Sequence, residues 1–239
     1  MNVSDNYRSA WESYWSATSE ARGEAIWDSD PSLGAAPHAE LLLPYADPGR
    51  TVVDLGCGNG TQTRYLATRF ARAVGVDLSH AAVAHARRAS GGDGPEFQQL
   101  DLTDTDAVRA LHDRLGDSNV YMRAVIHQSE PAARPAVAAA VATLLGTEGR
   151  AFVVELTSGS RDVLKRAASQ PGGPGPKLQR VFKHGLKPAD ADDEEIPRLL
   201  GEAGLAVLDS GETVLPQTEH LLDGTRIDLP ARWFVLAAK

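Results

Sequence analysis

The 239-residue chain has little cysteine, little lysine and no long apolar run. Its one cysteine, Cys57, excludes an internal disulfide and a multi-cysteine zinc site, and fits a reducing compartment. No stretch approaches the roughly 18 consecutive apolar residues of a membrane helix. The polar start (Asn2, Ser4, Asp5, Asn6) also lacks the charged-then-apolar pattern of a signal peptide. A cytoplasmic protein with no membrane partner is expected. A basic surplus is missing too, since 24 Lys and Arg face 32 Asp and Glu for a net charge of −8. Nucleic acid is therefore not expected as a partner, because neutralising phosphates calls for a basic stripe. The basic residues are 19 arginines and 5 lysines, the bias of a GC-rich bacterial genome. What remains, 42% hydrophobic and 23% charged residues, suits one sizeable globular domain with a small cap.

Residues 1–48 form an aromatic arm holding three of the four tryptophans. Tyr7, Trp11, Tyr14 and Trp15 are spaced to share one helix face, and a second short helix is predicted over 38–43, before Pro44 and Pro48. From Thr51 onward, short apolar runs alternate with helical patterns, the mark of repeated βαβ units and a parallel sheet. Strands are predicted over 51–55, 73–77, 96–100, 120–126 and 151–156, with helices over 61–70, 81–89, 104–115 and 132–145. Ser79 and Thr103 or Asp104 stand at N-cap positions, and Gly116 and Gly146 at helix ends. The glycine- and proline-rich stretch 169–176 breaks both helix and strand. After it come a helix over 190–203 and strands over 205–208 and 233–237, joined by a connector with structure of its own.

The chemistry concentrates in Val52-Val53-Asp54-Leu55-Gly56-Cys57-Gly58-Asn59-Gly60, a buried strand entering a glycine turn that opens a helix. Without Cβ atoms, such a turn brings main-chain N–H groups against a ligand. A dinucleotide fingerprint places its third glycine at 61, where this chain has Thr61. Asp77 ends the second strand, where a carboxylate accepts hydrogen bonds from ribose hydroxyls, which suits NAD or an adenosyl cofactor alike. Asp101, at the end of the third strand, is placed to accept from an adenine amino group, with the Leu102 amide beside it for a ring nitrogen.

Together these strand ends, and the later segments Tyr121-Met122-Arg123-Ala124-Val125-Ile126-His127 and Gly149 to Glu155, resemble the class I S-adenosylmethionine-dependent methyltransferases. The resemblance covers roughly 51–156. It implies a seven-stranded, mostly parallel α/β sheet with helices on both faces, an antiparallel last strand and an N-terminal helical cover over 1–48. The domain proper then runs over 49–239, with a substrate-side insertion over 157–188. It also implies S-adenosylmethionine as cofactor, S-adenosylhomocysteine as product, and an oxygen or nitrogen of a small molecule as acceptor, with a place in bacterial secondary metabolism.

By resemblance, Asp54 holds the cofactor's ammonium end or else braces the loop. Gly56, Cys57, Gly58, Gly60 and Thr61 form the cradle, Asp77 and Leu78 meet the ribose, and Asp101 and Leu102 meet the adenine. Trp15 covers the cofactor, and Arg123 reaches its carboxylate, binds an acidic substrate or makes a structural ion pair. Cys57 is read as a small packed loop residue rather than a nucleophile. Among seven histidines, His127 at the end of the fourth strand is the candidate general base, the alternative being a hydrogen bond to neighbouring backbone. Gln128 and Glu130 orient substrate or cap the next helix.

No metal site is expected. His80 and His85 do not share a helix face, and Asp190, Asp192, Asp193, Glu194 and Glu195 suit a helix N-terminus without an ion. The stripe Lys177, Arg180, Lys183, His184 and Lys187 reads as a solvated face or an anion attractor. Three other readings stay open: an RNA or protein methyltransferase, a protein that binds the cofactor without transferring methyl, and an NAD oxidoreductase.

Overall fold

The computed structural model describes residues 3–186 and 191–239. Lys187, Pro188 and Asp190 lie outside the described residues. Helix α1 (Asp5–Ala17) is followed by a short 3-10 turn and α2 (Ala35–Leu42). Four strand–helix units then alternate: β1 (Thr51–Leu55), α3 (Thr61–Leu66), β2 (Arg72–Asp77), α4 (His80–Ser90), β3 (Glu96–Gln99), α5 (Thr105–Leu115), β4 (Asn119–Arg123) and α6 (Arg134–Leu145). β5 (Ala151–Leu156), α7 (Ser160–Ala168), α8 (Pro176–Lys183), α9 (Glu195–Glu202), β6 (Leu205–His220) and β7 (Arg226–Ala238) complete the chain.

The sheet order is β3-β2-β1-β4-β5-β7-β6, with β7 antiparallel to both neighbours. β1 is buried along Val52 to Leu55 because helices cover both faces, which is why it reads as a continuous apolar run. On one face Val53, Val74, Met122 and Val153 meet α5, α6 and α9. On the other, Val52, Tyr121, Phe152 and Val235 meet α2 and α3, while Phe97 and Cys57 pack with α4. Burying each large side chain here contributes about 1.5–3 kcal/mol. The connections from β1 and β4 leave toward opposite edges, so a crevice opens between their carboxyl ends, where ligands of open α/β sheets bind.

Several elements depart from the sequence expectations. β4 stops at Arg123, not at 126, because Ala124 takes φ 61° and the next three amides turn to Glu155. α3 ends at Leu66 rather than near 70, and α9 starts at Glu195. The largest difference is the last pair: the expected connector over 209–232 is a long β6–β7 hairpin. Pairing of β7 with β5 ends at Leu156↔Ala231, yet β6 and β7 continue through Leu215↔Leu229 to His220↔Arg226, overhanging the strand ends.

A candidate cofactor and acceptor site at the strand ends

A cavity of about 1310 Å³, its open mouth included, lies over the carboxyl ends of β1, β2, β3 and β4. Asp54, Gly56, Cys57, Gly58, Thr61, Asp77, Leu78, Asp101, Leu102, Arg123, His127 and Trp15 all line it. Gly60 departs from this set. It is absent from the lining, and a Cβ there would lie 2.6 Å from the Phe97 ring at φ +75°. Its glycine serves close packing of the turn against β3 and α4. At Gly58 the constraint is a cover: a Cβ would meet Trp15 at 2.7 Å.

The cradle's carboxylates are pre-oriented. Asp77 accepts from the Gly58 and Ser79 amides, each at 2.9 Å and each on a different oxygen. A carboxylate has about four acceptor sites, so both oxygens keep capacity for a vicinal diol. Asp101 accepts from the Thr103 amide and hydroxyl on one oxygen and from Arg8 at 2.7 Å on the other, which leaves one site. Asp54 is buried and accepts from the Thr63 hydroxyl at 2.5 Å. Burial pushes its carboxyl up to about 7, against the lowering pull of Thr63 and Arg123. Burial likewise raises Asp77 to about 6, opposed by the backbone amides of Ser79, Gly58 and Leu78.

The roof is α1 with the segment after it. Trp11, Tyr14 and Trp15 pack around Trp27, with ring centroids 5.4, 4.9 and 6.2 Å from it. The helix is tied to each rim loop: Ser4 to Glu130, Arg8 to Asp101, and Glu12 to the Ser79 hydroxyl. Glu130 thus holds the cover, rather than a substrate or a helix cap. Residues 157–186 do not line the cavity; α7 and α8 buttress the cover through Ala167, Leu178 and Val181. The overhanging hairpin supplies Leu215, Gln217 and Leu229 to the cavity wall.

Arg123 donates to the Trp27 carbonyl at 2.8 Å and has no carboxylate partner among the described residues. His127 lies four residues beyond the end of β4. It is buried, its Nδ1 is 2.6 Å from Glu155 Oε2, and its Nε2 is buried without a partner.

The remaining charged clusters have structural partners. Lys177 donates to the Gly23 and Thr218 carbonyls and Arg180 to that of Glu24, so neither makes a solvated stripe or an anion site. Asp193 accepts from Ser158, and Glu195 from Arg134.

Residues 52–149 match a family described as a methyltransferase domain. A solved S-adenosylmethionine-dependent methyltransferase of Anabaena variabilis superposes with a TM-score of 0.89 at 26% identity, over 100% of this chain and 98% of that one. The chain has the class I S-adenosylmethionine-dependent methyltransferase fold, with a methyltransferase domain over residues 52–149. Among curated proteins similar to this chain, the trans-aconitate 2-methyltransferase of Acidovorax sp. (strain JS42) is 39% identical over 83 residues, 34% of this chain. That match spans only 31% of the relative's length. The ubiquinone biosynthesis O-methyltransferase of Aeromonas salmonicida is 27% identical over 184 residues, 76% of this chain and 74% of that one.

S-adenosylmethionine is the cofactor, and the cavity suits it. Its diol, adenine amino group and cations have counterparts in the open acceptor sites of Asp77 and Asp101 and in the buried Asp54. The cavity-facing Trp15, whose indole N–H is buried without a partner, adds an unused donor. Sequence reasoning missed Glu155, Arg8 and the hairpin wall. Glu155 carried a signal, a lone acid within an otherwise apolar buried strand; Arg8 carried none.

Proposed function

We propose that the protein transfers a methyl group to an oxygen or nitrogen of a small, partly apolar acceptor. The observation that carries the reading is His127, which lines the cofactor cavity and whose Nε2 is buried without a partner. S-adenosylmethionine supplies a methyl group activated on a sulfonium sulfur. Asp77 holds the ribose diol, Asp101 and the Leu102 amide hold the adenine, and Asp54 faces the ammonium group. Gly56 and Gly58 allow main-chain contact, and Arg123 takes a carboxylate. The aromatic cover excludes water and packs flat surfaces, and alignment of the acceptor does most of the rest. His127 receives the acceptor's proton at Nε2, a role that contributes about 10²- to 10⁴-fold.

Oxygen is the favoured acceptor atom, supported by the relative named an O-methyltransferase. Trp27, Leu156, Leu215 and Leu229 on the wall favour an acceptor with an apolar body.

The test is release of S-adenosylhomocysteine over a panel of phenols, aromatic amines and carboxylic acids, trans-aconitate included. Turnover on one class, lost in His127→Ala, supports the reading. Cofactor binding without turnover on any member would leave a non-transferring member of the family.

A further inference from the structure

Glu155 is the penultimate residue of β5, and its side chain reaches the turn after β4. One oxygen accepts from the Val125 and Ile126 amides at 3.0 and 2.8 Å. The other accepts from the His127 amide at 3.1 Å and faces His127 Nδ1 at 2.6 Å. Both side chains are 2% exposed. Among the described residues Glu155 has no cationic partner besides this imidazole; Arg232, its neighbour across the β5–β7 ladder, turns to Glu194 and the Phe234 ring.

An ionised carboxylate only accepts, and the four contacts use its acceptor sites, so the hydrogen between the two groups sits on Nδ1. Nε2 is then left with a lone pair. The backbone is pinned from the other side by Arg134, itself buried and paired with Glu195, which donates to the His127 carbonyl at 3.4 Å and the Ser129 carbonyl at 3.2 Å.

We propose that Glu155 is the positioning residue of the reaction: it bends the chain off β4 and holds His127 in the tautomer whose Nε2 accepts a proton from the acceptor. The inference rests on the reading of His127 as the base. As the acceptor's oxygen or nitrogen bonds to the methyl carbon, the carbon–sulfur bond breaks with its electron pair going to sulfur. The acceptor's proton moves to Nε2, and Glu155 faces the resulting imidazolium. The same carboxylate thus shapes the turn and fixes the ring, the second-residue logic that gives histidine bases their direction.

The test is long-range ¹H–¹⁵N NMR of the histidine rings on the full chain with S-adenosylhomocysteine, at pH 8, with His127 assigned through His127→Gln. The expected wild-type spectrum shows Nδ1 protonated and Nε2 bare. In Glu155→Gln the amide N–H₂ donates to Nδ1, so the tautomer reverses while S-adenosylhomocysteine affinity stays within about twofold. On the acceptor found in the screen, kcat of this variant falls about 10²-fold or more with KM held. A wild-type ring protonated at Nε2 overturns the proposal, as does a folded Glu155→Gln variant with unchanged tautomer. If Glu155→Gln does not fold, the wild-type spectrum decides. Full turnover in His127→Gln would instead remove the base reading and leave the tautomer assignment standing.

Discussion

The two halves of the cavity are built in different ways. The proposed cofactor half comes from three short strand–loop segments, 54–61, 77–79 and 100–103, whose backbone amides and carboxylates lie at or close to the carboxyl ends of β1, β2 and β3. The proposed acceptor half is assembled from distant pieces: His127 after β4, Glu155 on β5, the overhang of β6 and β7, and a cover from the N-terminus. One half is fixed by local chain geometry, the other by tertiary contacts. Such a division lets a fold keep its cofactor while its acceptor surroundings change.

The comparison is sharpest at His127. His127→Ala is expected to lower kcat by about 10²- to 10⁴-fold and to leave S-adenosylhomocysteine affinity within about twofold, read by turnover and calorimetry. Equal losses in both would merge the halves. Gly60→Ala probes the cofactor half through packing alone: its Cβ would press on Phe97 in a left-handed backbone. It is expected to cost about 1–3 kcal/mol of stability in denaturant melts; unchanged stability would remove the packing role.

A pH series comes next. Asp54, raised to about 7, and Asp77, raised to about 6, bind protons more tightly in the folded chain than the unfolded value of about 3.9. Their stabilising contribution is full below that unfolded value and is lost as pH rises through 6 to 7. Ligand-free protein is therefore expected to melt lower at pH 8 than at pH 5, while cationic S-adenosylmethionine binds several-fold tighter at pH 8. Asp54→Asn should flatten both slopes, and slopes unaltered by it would place the titration elsewhere. The smallest effect is expected from Arg8→Ala, since Arg8 is 37% exposed and such ion pairs contribute little. Affinity should change less than about threefold, with faster release of S-adenosylhomocysteine in stopped flow; unchanged release would deny Arg8 a part in closing the cover.

What was legible in the sequence follows the same division. The four strand–helix units, the glycine turn, Asp77 and Asp101 could be read because each is a contiguous segment with its own periodicity. The hairpin could not, because β6 is an edge strand whose stretch from Val207 to Ser210 is solvent-facing, so no alternation marks it. The end of β4 was misplaced because Val125 and Ile126 are apolar enough to extend a strand, and only Glu155, from another strand, turns them away. The packing role of Gly60 could not be read either, because the need for a missing Cβ is the same whether a cofactor or Phe97 fills the space.

The central claim is that S-adenosylmethionine binds across β1, β2 and β3 with its ribose on Asp77. Calorimetric titration of S-adenosylhomocysteine into wild-type protein and Asp77→Ala tests it most directly. Binding by the wild type, weakened about 5- to 150-fold by the substitution (about 1–3 kcal/mol), is expected. Equal affinity in both proteins, or binding by neither, would contradict the account.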